Sequence, residues 1–177
     1  MSHLRAPLLT DVVDSTKLSL RVGDEEMARL WAAHDRAARD LRPVWHGRGI
    51  DKSDGMLLPF DTASDAVGYA LAYQQALNQL VLPLKARAGS HVGPVTLREN
   101  NPSDVALGAK PIEVEGVAKT IAARVMSAAM GGQILLRAGS DIGAAAQPRR
   151  PFDDACQCRT AARAGCGSGN TGDAEPA

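Results

Sequence analysis

Aromatic residues make up only 3% of the 177-residue chain, which leaves few side chains for stacking on bases. A core must then be built from alanine, leucine and valine. Neither sign of charge is in excess, with 20 Lys and Arg against 20 Asp and Glu, and no basic stripe offers the footprint of nucleic-acid binding. Nucleic acid is not an expected partner. No apolar run reaches the roughly 18 to 20 residues of a spanning helix, and Met1-Ser2-His3-Leu4-Arg5 lacks the pattern of a signal peptide. The expectation is a cytoplasmic protein with no membrane segment in this chain. The three cysteines, Cys156, Cys158 and Cys166, crowd the end of the sequence. An odd number without a secretion signal does not suit a disulfide framework, and a structural zinc site wants four ligands, whereas all four histidines stand far away. They read as bystander thiols.

What the sequence does contain is organised around Leu8-Leu9-Thr10-Asp11-Val12-Val13-Asp14-Ser15-Thr16. An apolar run ends in a carboxylate and then breaks into small hydroxylated residues. That pattern predicts a strand holding Asp11 at its end, followed by a helix start where the backbone N–H groups of Ser15 and Thr16 face an anion. The same residues also allow Asp14 or Ser15 simply to cap the helix, with Asp11 a surface acid. Met27, Leu30, Trp31, His34, Ala38 and Leu41 then recur at helical spacing up to Pro43, which makes His34 a core residue. Met56 to Phe60 predicts a buried strand, with Asp54 in the hairpin before it. Thr62 caps a third helix carrying Ala66, Tyr69, Ala70, Tyr73 and Leu77.

Leu84 to Leu97 is the clearest strand region, in which Gly89 and Gly93 mark close backbone approach. Arg98 to Lys110 reads as a protruding polar arm. A helix follows with Val117, Ile121, Ala122, Val125 and Met126, stopped by Gly131-Gly132, before a short strand from Gln133 to Leu136. Beyond residue 147 large apolar side chains almost vanish, so no packing is expected there. This order predicts an α/β (α+β) fold of ferredoxin-like type, a mainly antiparallel sheet with helices packed on one face. The domain is expected over residues 5–137, with a poorly structured, disordered tail over 138–177.

Four blocks in order resemble the catalytic domain of class III adenylate and guanylate cyclases. They are Leu9 to Thr16, Lys52 to Phe60, Arg87 to Val95, and Gly116 to Met126 followed by Gly131 to Leu136. The resemblance covers roughly residues 5 to 137, and the order of the blocks carries more weight than any one of them.

The resemblance implies a nucleotide cyclase that converts ATP to cyclic AMP and pyrophosphate. Asp11, Val12 and Asp54 match the positions that hold two Mg2+ or Mn2+ ions per site. One ion would acidify the ribose 3′-hydroxyl and the other would hold the triphosphate. Ser15 and Thr16 fall at the phosphate turn. Arg124 matches the arginine that stabilises charge on the transferring phosphoryl group, and Thr120 stands one turn earlier. Glu113 and either Asp51 or Lys52 match the base-reading positions, and Glu113 suits the amino group of adenine, so ATP is expected over GTP. The family also implies a homodimer or a pairing with a related cyclase domain, with metal acids from one chain and arginine from the other.

The sequence departs from the family at four places. Thr120 replaces an asparagine, Asp14 replaces a common glycine, the hairpin before Asp54 is one residue shorter, and nothing after Leu136 resembles the closing strands. These departures imply an alternative, a non-catalytic cyclase-homology module that binds a nucleotide or regulates a partner.

Overall fold

A computed structural model describes residues 2–48, 51–52 and 55–137 of the chain. Strand β1 (His3–Val12) lies at the centre of the sheet. Ala6, Leu8, Thr10 and Val12 alternate onto one buried face, as period-two patterning requires. On one side β1 pairs antiparallel with β3 (Gly55–Phe60), from Ala6 opposite Phe60 to Asp11 opposite Gly55. On the other it pairs antiparallel with β4 (Ala86–His91), from Leu8 opposite Ser90 to Val12 opposite Ala86. Strand β5 (Gly93–Glu99) prolongs β4 in the same register, placing Gly93 opposite Arg5. The strand region read over Leu84–Leu97 is therefore one partner of β1, interrupted at Val92.

Further strands extend the sheet on both sides of β1. The short β2 (Asp51–Lys52) pairs with the outer side of β3. Strand β7 (Ile134–Arg137) runs parallel to β4, and β6 (Ile112–Glu115) runs antiparallel to β5. Seven strands form the sheet, and β4 with β7 is its one parallel pair among the described residues. The polar stretch read as an arm is the connection from β5 to β6, including the short helix α4 (Pro102–Ala106). Asn100 closes its base, with its backbone N–H on Pro111 O and its side-chain amide on Lys110 O.

Helices α1 (Ser15–Val22), α2 (Asp24–Val44) and α3 (Ala63–Asn78) supply the larger core. Met27, Leu30, Ala66, Tyr69, Tyr73 and Leu77 pack there with Ala6, Leu8, Val12 and Ala88 of the sheet. Thr62 caps α3 as expected, its hydroxyl oxygen accepting from Asp65 N at 3.0 Å. His34 is a core residue as expected, its Nε2 lying 2.6 Å from the Tyr73 hydroxyl. The two tyrosine rings stack at 5.9 Å, and burial pushes both phenols well above their usual pKa.

Helix α5 (Val117–Ser127) corrects the expectation that all helices share one face. Ala88 points into the core beneath α3, whereas a Cβ built on its neighbour Gly89 would fall on the backbone of Met126 in α5. Successive strand residues face opposite ways, so α5 lies on the opposite side of the sheet. A smaller core of Leu57, Val95, Val114 and Ala118 forms on that side, with Leu9 against it. Hydrophobic periodicity identifies a helix but not the sheet face it covers. The tail expected over 138–177 lies outside the described residues. No described helix is long and apolar enough to cross a membrane.

Candidate active site

Asp11 stands near the C-terminal end of β1, in register with Gly55 on β3 and Arg87 on β4. The sheet holds it rigidly from both sides, and its side chain is 26% exposed. The close approach on the β3 side depends on Gly55, where any Cβ would collide with the Thr10 carbonyl oxygen. Asp54 lies outside the described residues, between Lys52 and a Gly55 that pairs directly with Asp11. Asp51 and Lys52 form β2, opposite Leu57 and Met56.

The occupant of the Asp11 carboxylate is Arg87. Its Nε donates to Oδ2 at 2.8 Å and Nη2 stands 2.6 Å from the same oxygen. Arg87 is a residue that the sequence did not single out, although it opens one of the four cyclase-like blocks. Strand alternation could place it on a face, but only the register of β1 and β4 sets it opposite Asp11.

Val12 has a buried apolar side chain within the larger core, so only its backbone carbonyl oxygen can serve as a ligand. Carboxylate and carbonyl oxygens are the donor type that Mg2+ and Mn2+ prefer. By donor type, the Asp11 carboxylate and the Val12 carbonyl suit a divalent ion, and the Asp11 carboxylate is held here by a guanidinium. Among the described residues no group of three or more His, Cys, Asp or Glu converges.

After β1 the chain turns through Asp14, which takes left-handed backbone angles of φ 58° and ψ 19°. This conformation explains why a glycine suits the position, and Asp is among the few other residues that tolerate it. Asp14 occupies the N-cap of α1, but its side chain makes no capping hydrogen bond. Instead Lys17 Nζ donates to it at 2.7 Å, which holds the Asp14 carboxyl below its usual pKa and the Lys17 ammonium above its own. The first backbone-bonded amide of α1 is that of Leu18, which donates to Asp14 O. The amides of Ser15 and Thr16 thus belong to the uncommitted first turn. A cavity of about 350 Å3 flanks this turn, lined by Lys17, Arg21 and Lys85 against the single acid Asp14, with Val13 and Leu84 among its apolar walls.

Comparisons with known proteins bear on the fold. No protein-family model and no curated protein matches the sequence. Solved structures do match. The guanylyl cyclase Cya2 superposes with a TM-score of 0.67 at 20% identity, over 77% of this chain and 75% of that one. The adenylyl cyclase CyaB from P. aeruginosa gives 0.65 at 17% identity, over 77% of each chain. An adenylate cyclase from Trypanosoma brucei, solved in its monomeric state, gives 0.66 at 20% identity over 75% and 72%. The chain has the class III nucleotide cyclase fold. At these identities it is the fold that is shared.

Within this cyclase fold the other sequence-predicted residues make no hydrogen bond or ion pair with Asp11 among the described residues. Thr120 and Arg124 lie on α5 with exposed side chains, in one stripe with Val117, which is 71% exposed. Among the described residues Arg124 makes no side-chain hydrogen bond or ion pair. Glu113 sits on β6, opposite Arg98 on β5, with Arg98 Nη2 3.6 Å from its carboxylate. Asp11 and the exposed stripe of α5 share the sheet face that Gly89 opens to the helix.

Proposed function

We propose that this chain is a class III nucleotide cyclase domain that converts ATP to cyclic AMP and pyrophosphate, working as a pair of chains. The observation that carries the reading is Asp11, held between two strands beside the uncommitted amides of Ser15 and Thr16, in a cyclase fold. Asp11, the Val12 carbonyl and Asp54 would hold divalent Mg2+ or Mn2+. Such ions would supply charge neutralisation and a more acidic ribose 3′-hydroxyl.

The chain's own groups account for the rest of the chemistry. The first turn of α1, with Lys17, Arg21 and Lys85 around the adjoining cavity, supplies positive potential for a triphosphate. Arg124 would spread its planar fork over the α-phosphoryl oxygens as charge builds there, with Thr120 donating one hydrogen bond beside it. Because Arg124 is exposed and makes no ion pair among the described residues, it is available to complete the site of a second copy. Glu113 would accept from the adenine amino group, with Asp51 or Lys52 as the other base contact.

The test is cyclic nucleotide production by the purified chain with ATP or GTP and Mg2+ or Mn2+. Asp11→Ala and Arg124→Ala chains should each be inactive, and mixing them should restore part of the activity through one intact shared site. Full activity of both separate variants would sink the reading. A second reading, a non-catalytic nucleotide-binding module, is favoured by Thr120, whose hydroxyl lacks an amide's reach, and by Asp14 beside the phosphate turn. Nucleotide binding without product under every metal would select it.

A further inference from the structure

We propose that Arg87 is an internal counter-ion that competes with a divalent cation for the Asp11 carboxylate, so that the ion enters only as the guanidinium leaves. The inference rests on the cyclase reading above. It starts from the geometry of one pair. Arg87 and Asp11 are directly opposed on neighbouring antiparallel strands, 76 positions apart in sequence. Their register is fixed by the ladder between β1 and β4, so the contact belongs to the sheet and not to a wandering surface chain.

Two of the three guanidinium nitrogens of Arg87, Nε and Nη2, fall on Oδ2, and among the described residues Oδ1 accepts no hydrogen bond. The carboxylate therefore has one committed and one open oxygen. The side chains are 33% and 26% exposed, so water screens the pair only in part. An arginine cannot shed its proton to relieve repulsion, as a lysine or histidine could. A doubly charged ion arriving at the open oxygen would stand a carboxylate's width from a fixed positive charge. That repulsion is resolved only by movement of the guanidinium.

No other described acid is within hydrogen-bonding reach of Arg87. Lys85, two residues earlier and just before β4, is also a cation, and Gly89 on the other side carries no side chain. The cost of expelling it is thus charged against the affinity for the ion.

The experiment measures Mn2+ binding to the full chain without nucleotide, by titration calorimetry and by the spin-resonance signal of free Mn2+. Wild type, Arg87→Gln, Arg87→Lys and Asp11→Asn are compared, with circular dichroism and thermal melting to verify folding. Arg87→Gln should bind Mn2+ more tightly by about tenfold or more, the lower end of what a neighbouring charge does to a carboxylate's affinity for a proton. Arg87→Lys, a mobile point charge without the fork, should fall between Gln and wild type. Asp11→Asn should lose the binding.

Unchanged or weaker Mn2+ binding in both folded Arg87 variants, with loss in Asp11→Asn, would overturn the competition while leaving Asp11 a ligand. Binding that is indifferent to Asp11→Asn would instead overturn the metal site of the cyclase reading. Should Arg87→Gln not fold, the comparison of Arg87→Lys with wild type decides the matter by the same criterion.

Discussion

Gly89 of β4 lies directly beneath Met126 of α5, close enough that a Cβ at position 89 would overlap the Met126 backbone nitrogen and Cα. The neighbour here is helix backbone, which cannot swing aside as a side chain can. Gly89→Ala should therefore lift α5 off the sheet and cost about 1 to 3 kcal/mol as an overpacking change. Because α5 carries Thr120 and Arg124, cyclisation should fall with stability, and Gly89→Val should do worse. A melting curve superimposable on wild type would show that α5 is not seated on this glycine.

Asp14→Gly should be tolerated by the fold and should bind nucleotide more tightly. Glycine takes the left-handed angles of this position without strain, and the change removes a negative charge beside the first turn of α1. The pH dependence has a definite sign. Lys17 holds the Asp14 carboxyl below its usual pKa, so the pair contributes stability above the ordinary carboxylate range and loses it as pH falls through the lowered value. The variant lacks that loss, so its melting temperature relative to wild type should rise on acidification below about pH 4. Thermal melts from pH 7 to pH 3, with nucleotide titrations at pH 7, measure both effects.

Arg124→Ala should leave stability within about 0.5 kcal/mol of wild type, because the side chain is exposed and makes no described contact. Activity should fall by about a thousandfold or more, the scale on which a transition-state arginine acts. Thr120→Asn should move activity the other way by restoring an amide's reach one turn before Arg124. Chemical denaturation and turnover of the same preparations separate the two quantities.

Tyr73→Phe should destabilise the chain by about 1 to 2 kcal/mol through loss of a buried hydrogen bond to His34 Nε2. It should leave KM for nucleotide unaltered, since this buried pair joins α2 to α3. A change in KM without a change in melting temperature would place Tyr73 in the site rather than under it.

The sequence by itself determined the elements whose signals are local. Helical spacing from Met27 to Leu41 placed His34 in the core, Thr62 announced the start of α3, and the apolar run before Asp11 became the central strand. Gly89 was also legible, because a glycine inside an otherwise regular strand marks a place where something must come near. What came near was not legible. Register, sheet face and charge partner are properties of pairs of segments distant in the chain, and no local period encodes them. Only the tertiary structure set Arg87 on Asp11, laid α5 on the face opposite α2 and α3, and gave Asp14 the left-handed turn that a glycine would otherwise supply. The physical reason is that a strand's alternation fixes which way a side chain points, while the ladder it joins decides what stands opposite.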